Sequence, residues 1–216
     1  MSFPSIRASA KGGSDFKPVP AGVHFAVCSQ VIDLGVQKTT FKGQDKQKHQ
    51  VYIRFELPDT RVTWGKEGSK QEGSATIGRT FTLSIGEMSN LRPFLTGWRG
   101  KEFTAAEQES FEITSIVGKV CQLSVVHETG GDGKVRAQIS GAFPIIKEQR
   151  EALTLNPARG QASKLVVYSP AAHDAAVWET LPNWIQEKIN GRIQEQAPVK
   201  AEDVSQAEDF NDDIPF

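Results

Sequence analysis

Gln50-Val51-Tyr52-Ile53-Arg54-Phe55-Glu56-Leu57 is the stretch on which the fold turns. Val51, Ile53, Phe55 and Leu57 alternate with Gln50, Tyr52, Arg54 and Glu56, the period of two that a half-buried β-strand requires. One face of this strand belongs to a core, and the other sets an aromatic ring beside a guanidinium. The same period recurs on either side. Upstream, Val23, Phe25, Val27 and Val31 alternate with His24, Ala26 and Gln30 and predict a strand over residues 23–34. Ile32, Leu34 and Gly35 break the alternation and predict a bend or bulge there. Between these strands, residues 35–49 are polar and basic, with Lys38, Lys42, Lys46 and Lys48 around Phe41, as in an exposed loop or hairpin end. Downstream, residues 61–64 extend the pattern and residues 65–73 form a loop rich in Gly, Lys and Glu. Residues 76–85 then predict a third strand, with Ile77, Arg79, Phe81, Leu83 and Ile85 on one side.

Beyond the third strand the period changes. Met88, Leu91, Leu95 and Trp98 have near-helical spacing and predict a helix from about Glu87, which Pro93 is expected to kink or split. Thr104-Ala105-Ala106-Glu107 has the spacing of a capping box, so a second helical piece starts there and stops near Gly118. Residues 120–128 and 135–145 flank the turn Thr129-Gly130-Gly131-Asp132-Gly133-Lys134 and predict a hairpin. That turn is not a phosphate-binding loop. Glu128 stands where the first glycine belongs, and Val135 replaces the Ser or Thr that would hold magnesium. A polar connector, a short apolar run over residues 164–168 and a helical close follow, with Pro182 opening the last helix. Trp184, Ile185, Ile189 and Ile193 line one face of it, and Trp98, Trp178 and Trp184 are all read as core.

The expected fold is mainly β (α+β): an OB-fold-like, partly open barrel with added helices and a disordered acidic C-terminal tail. Residues 1–22, rich in Gly, Pro and Ser, form a flexible N-terminal segment, residues 23–195 the domain and residues 196–216 the tail. No apolar run approaches the roughly 18 residues that cross a bilayer, and the first residues lack the apolar stretch of a secretion signal. The expectation is a soluble, cytoplasmic protein. Cys28 and Cys121 lie in apolar strand-like runs without Cys-x-x-Cys spacing and read as reduced core thiols. His24, His49, His127 and His173 lack partners at ligand spacing, so no metal site, cofactor or enzymatic activity is expected.

Charge is unevenly distributed. From Gln196 onward six acids (Glu202, Asp203, Glu208, Asp209, Asp212, Asp213) face Lys200, a net of −5; a total of −1 therefore leaves +4 on the first 195 residues. A basic body with an acidic tail suits a polyanion binder. Within residues 38–79, nine bases (Lys38, Lys42, Lys46, Lys48, Arg54, Arg61, Lys66, Lys70, Arg79) outnumber five acids and are interleaved with Phe41, Tyr52 and Trp64. Cations on phosphates and rings under bases are what non-specific single-strand binding needs. Tyr52 and Arg54 form the sharpest pair and Trp64 follows, although Tyr52 equally suits a second layer of helix packing and Trp64 a loop anchor. Arg99 reads either as a helix-end charge or as a phosphate contact.

The segment Asp209-Phe210-Asn211-Asp212-Asp213-Ile214-Pro215-Phe216 is too charged to fold on its own core, yet it includes the apolar residues Ile214, Pro215 and Phe216. It resembles the C-terminal tip of bacterial single-stranded DNA-binding proteins, with Asn211 where that family usually has a third Asp. The body resembles small phage-encoded single-stranded DNA-binding proteins over roughly residues 20–190. The segments that carry this are Ile32-Asp33-Leu34-Gly35, residues 51–57 and 79–84, Leu91-Arg92 with Trp98-Arg99-Gly100, and Leu181-Pro182-Asn183-Trp184-Ile185. The resemblance implies a protein that coats single-stranded DNA during phage replication and recombination inside a bacterial host. It also implies that Pro215 and Phe216 anchor partner proteins while Asp209, Asp212 and Asp213 steer the tip to a basic pocket. The rival expectations are a strand-annealing recombination protein that assembles into rings, a DNA-processing enzyme whose ligands meet only in space, and an adaptor that acts through the tail alone.

Overall fold

The computed structural model describes residues 18–41, 44–64 and 69–193, and the side chains of Phe41 and Trp64 are not among those described. Lys42, Lys66, residues 1–17 of the N-terminal segment and the whole tail with its tip therefore lie outside the described residues. Strands β1 (Gly22–Phe41), β2 (Gln44–Trp64), β3 (Gln71–Thr82), β4 (Val120–Thr129), β5 (Val135–Phe143) and β6 (Val166–Tyr168) form one sheet. Its order is β3-β2-β1-β4-β5, with β6 added to β1. The helices are α1 (Leu91–Arg99), α2 (Ala105–Glu109), α3 (Lys147–Leu155), α4 (Ala175–Trp178) and α5 (Asn183–Asn190). The fold is mainly β, and its antiparallel sheet curls into a half-barrel. Among the described residues no helix is long and apolar enough to cross a membrane.

β1 is the strand the sheet is built on, because both of its edges are used. One edge pairs with β2 from Val27 to Phe41; the other pairs with β4 from Gly22 to Val27 and then, in parallel, with β6 from Gln30 to Ile32. The register slips by one residue between Cys28 and Gln30 and again between Asp33 and Gly35; the second bulge is the predicted irregularity, and the first was not foreseen. Alternation fails here for a second reason: β1 is buried on both faces. Ala26, Cys28 and Val31 join the barrel core, whereas Ile32 and Leu34 join a smaller core on the outer side.

The barrel core takes Val51, Ile53, Phe55 and Leu57 from β2, as the opening octapeptide requires. α1 closes it with Leu91, Phe94, Leu95 and Trp98; the Phe55 and Trp98 rings lie 5.4 Å apart, and the indole nitrogen donates to the Val120 carbonyl at 2.9 Å. The helix neither kinks nor splits at Pro93. It begins at Leu91, so Pro93 occupies its first turn, where the missing N–H has no intrahelical acceptor to lose. Gly100 ends it in the left-handed conformation at φ 68°. The capping box of Thr104 and Glu107 forms as predicted, although α2 lasts only five residues before a 3-10 turn at Ile113–Ile116.

Arg79 links two strands of the sheet. Its guanidinium turns inward, 4.9 Å from the centre of the Phe81 ring, and donates to the Ile139 carbonyl at 2.8 Å, joining β3 to β5 across the barrel's opening. The outer core consists of Ile32 and Leu34 from β1, Val166 and Tyr168 from β6, and Leu181, Ile185 and Ile189 from the closing helices. The segment read as a polar connector contains α3, which buries none of its side chains and so has no apolar stripe to reveal it. The predicted flexible lead-in is anchored at residues 18–22. Val19 is buried and its carbonyl meets His127 Nε2 at 2.8 Å, while the Pro20 carbonyl meets His24 Nε2 at 2.8 Å.

Candidate nucleic-acid interface

The outer face of β2 carries Tyr52, Arg54 and Glu56. Glu56 is withdrawn from it: it is buried and accepts from the Ser163 N–H at 2.9 Å and hydroxyl at 2.7 Å. Arg54 remains at the surface and donates to the Thr76 hydroxyl of β3 at 2.7 Å. Tyr52 is half-buried, with its ring over Gly78, where a Cβ would lie 2.2 Å from the phenol oxygen. Burial pushes the phenol pKa up, and the nearby Arg54 charge opposes that rise.

On Tyr52 stands Trp184, with centroids 5.0 Å apart and planes at 88°. Read as core from its spacing, Trp184 is 44% exposed. The reason is angular. Ile185 and Ile189 take the core-facing stripe of α5, and a residue one position away is rotated about 100° toward its flank. Lys188, one turn further and also exposed, shares that flank. The other two tryptophans match the core reading: Trp98 is buried and Trp178 packs against the outer core.

Of the stretch expected to be an exposed loop or hairpin end, residues 35–41 and 44–49 are strand, which is the hairpin of the two expectations. β1 and β2 pair from Gly35–Gln50 out to Phe41–Gln44 as a two-stranded arm. By alternation Lys46 and Lys48 share the face of Tyr52, whereas Lys38 is on the opposite face, 2.8 Å from Asp45. That hydrogen bond holds the Asp45 carboxyl below its ordinary pKa. The root of the arm is fixed by Asp33, which accepts from the Gly35 N–H at 2.8 Å, pairs with His49 Nε2 at 2.6 Å and accepts from the Ser169 hydroxyl at 3.0 Å. The Ile193 N–H also donates to the Val36 carbonyl at 2.8 Å.

The structure thus gathers Tyr52, Arg54, Thr76 and Trp184 on one outer face, with Lys48 and Lys46 continuing along β2. Arg61 and Lys70 belong to the β2–β3 hairpin at the far end of β2, on the order of 40 Å along the strand from Lys48. There Arg61 pairs with Glu72 at 3.0 Å. Arg79 is engaged in joining β3 to β5 and takes no part in this face. Arg99 sits 4.3 Å over the Phe103 ring and pairs with Glu107, the helix-end arrangement. Among the described residues no three His, Cys, Asp or Glu side chains are placed to hold a metal ion. Cys28 and Cys121 are free buried thiols. Neither a protein-family model nor a curated protein matches the chain.

Proposed function

We propose that this chain is a non-enzymatic, phage-type single-stranded DNA-binding protein. Its half-barrel is OB-like: strands β1 to β3, a helix, then β4 and β5, with ligand bound on the strand 2–3 face. The observation that carries the reading is Trp184, an exposed ring held edge-on by Tyr52 beside Arg54 on that face. Every base has a π-face, so an exposed indole takes any of them at about 1–3 kcal/mol, without sequence preference. Trp184, rather than half-buried Tyr52, is the stacking ring. Arg54 and Lys188 receive the phosphates that follow. The segment Asp209–Phe216 recruits replication and recombination proteins, its Ile214, Pro215 and Phe216 suiting an apolar pocket rimmed by Arg or Lys.

The test is a titration of the full chain with oligo-dT and with blunt duplex, followed by tryptophan fluorescence. Oligo-dT quenches the emission. With about two phosphate contacts its affinity falls roughly sevenfold between about 50 and 200 mM salt, at a slope near −0.7 per contact. Absent quenching, a flat salt response, or magnesium-dependent cleavage by the pure protein overturns the reading.

A further inference from the structure

We infer that the β1–β2 arm is a second nucleic-acid element, one that grips duplex, so that the protein seats itself at the junction between single and double strand. The inference rests on the single-strand reading of the Trp184 face and assigns the arm a different ligand.

Nothing in the packing accounts for the arm's length. Beyond Ile32 the β6 pairing stops, and the β2–β3 ladder stops at Gln50 and Thr82, so the outer arm is a ribbon with neither edge paired by a strand. Apart from Val36 and Phe41 its sequence is polar, and Lys38, Lys46 and Lys48 are exposed. A lone two-stranded hairpin is marginal in water, so a ribbon kept beyond its core has its use outside the fold.

The placement of its cations selects the ligand. Lys46 and Lys48 project from one face and Lys38 from the other. A single strand lying along one face meets only one of these sets. A groove of duplex has a phosphate wall on each side, and a two-stranded ribbon fits the major groove, about 12 Å wide and 8.5 Å deep. Asp45 does not cancel the Lys38 side, because an exposed ion pair contributes little and yields to a phosphate. The direction of the arm is also fixed. Gln37 Nε2 donates to the Leu34 carbonyl at 2.6 Å and the Lys188 carbonyl at 3.0 Å, which ties the ribbon to the helix that carries Trp184. From Lys48 to Arg54 is roughly 20 Å along one continuous strand, so an unpaired strand leaving a duplex on the arm runs onto the ring face.

The experiment compares, by fluorescence anisotropy at one salt concentration, a hairpin duplex with a dT overhang, oligo-dT of the overhang's length and the blunt hairpin. It uses the full chain, the triple variant Lys38→Gln/Lys46→Gln/Lys48→Gln, and Trp184→Ala. The wild type is expected to bind the overhang substrate at least about tenfold more tightly than oligo-dT. The triple variant loses that preference and keeps oligo-dT affinity within about threefold. Equal wild-type affinities for junction and oligo-dT overturn the inference, and so does a triple variant that weakens both equally, which makes the arm part of the single-strand path. If oligo-dT fails to bind while the blunt hairpin binds through the three lysines, the Trp184 reading falls and the duplex role of the arm stands.

Discussion

Trp184 illustrates how far one helical position carries a side chain. The neighbouring Ile185 and Ile189 fill the outer core, and the indole is left half in water on Tyr52. Trp184→Ala is therefore expected to weaken oligo-dT binding by about 1–3 kcal/mol, with little change in melting temperature, and Trp184→Phe to retain most of the affinity. Isothermal titration beside a thermal melt separates the two effects. Gly78 is needed for a spatial reason. A Cβ there meets the Tyr52 hydroxyl at 2.2 Å and its ring carbon at 2.4 Å, so Gly78→Ala forces the ring away and costs about 1–3 kcal/mol in a denaturant melt. Cys28 has its thiol pKa pushed up to about 12 by burial. An unfolded thiol ionises near 8.5, so above that pH the unfolded state releases protons that the folded state keeps, and stability falls by about 1.4 kcal/mol per pH unit for this thiol. Urea midpoints that stay level between pH 8 and 10.5 contradict this burial.

At the scale of elements, the inward-turned Arg79 guanidinium joins β3 to β5. Arg79→Leu removes the only donor given to the Ile139 carbonyl by that side chain and is expected to cost about 1–3 kcal/mol in stability while leaving oligo-dT affinity per folded molecule unchanged. A loss of affinity without a loss of stability places Arg79 on the nucleic acid instead. The strand read at residues 76–85 is β3, which begins earlier, inside the stretch read as loop, and ends at Thr82; alternation alone cannot say whether its inward arginine is a misplaced charge or a clasp between edges. Pro93 shows the same limit in α1: its meaning depends on which residue begins the helix. α3 was not read because it buries none of its side chains and so shows no apolar stripe, and it lacks the Ser or Thr cap that revealed the equally unburied α2.

Across the whole molecule, the helical close ends its described course at Ile193, whose N–H donates to the Val36 carbonyl at the root of the basic arm. Deleting Asp209–Phe216 is expected to leave the melting temperature unchanged, since so charged a segment has little apolar surface to bury, and to leave oligo-dT binding equal or tighter by removing anionic competition. Recruitment of replication and recombination proteins to coated strand is expected to be lost. Truncation that weakens oligo-dT binding would mean that the segment contributes to the interface itself.

Alternation along residues 50–57, the hairpin turn at residues 129–134 and the Thr104 capping box each reside in a few consecutive residues, so the strands, the helix placed after the third of them and the polar outer strip of β2 were fixed by local pattern. Tertiary structure alone decided that β1 lies between two cores, that Lys38, Lys46 and Lys48 go to an arm while Arg61 and Lys70 go to a distant hairpin and Arg79 turns inward, and that Trp184 emerges beside Tyr52. Those outcomes depend on which faces of distant segments meet, and a one-dimensional period specifies the face of a strand or helix but not what is packed against it.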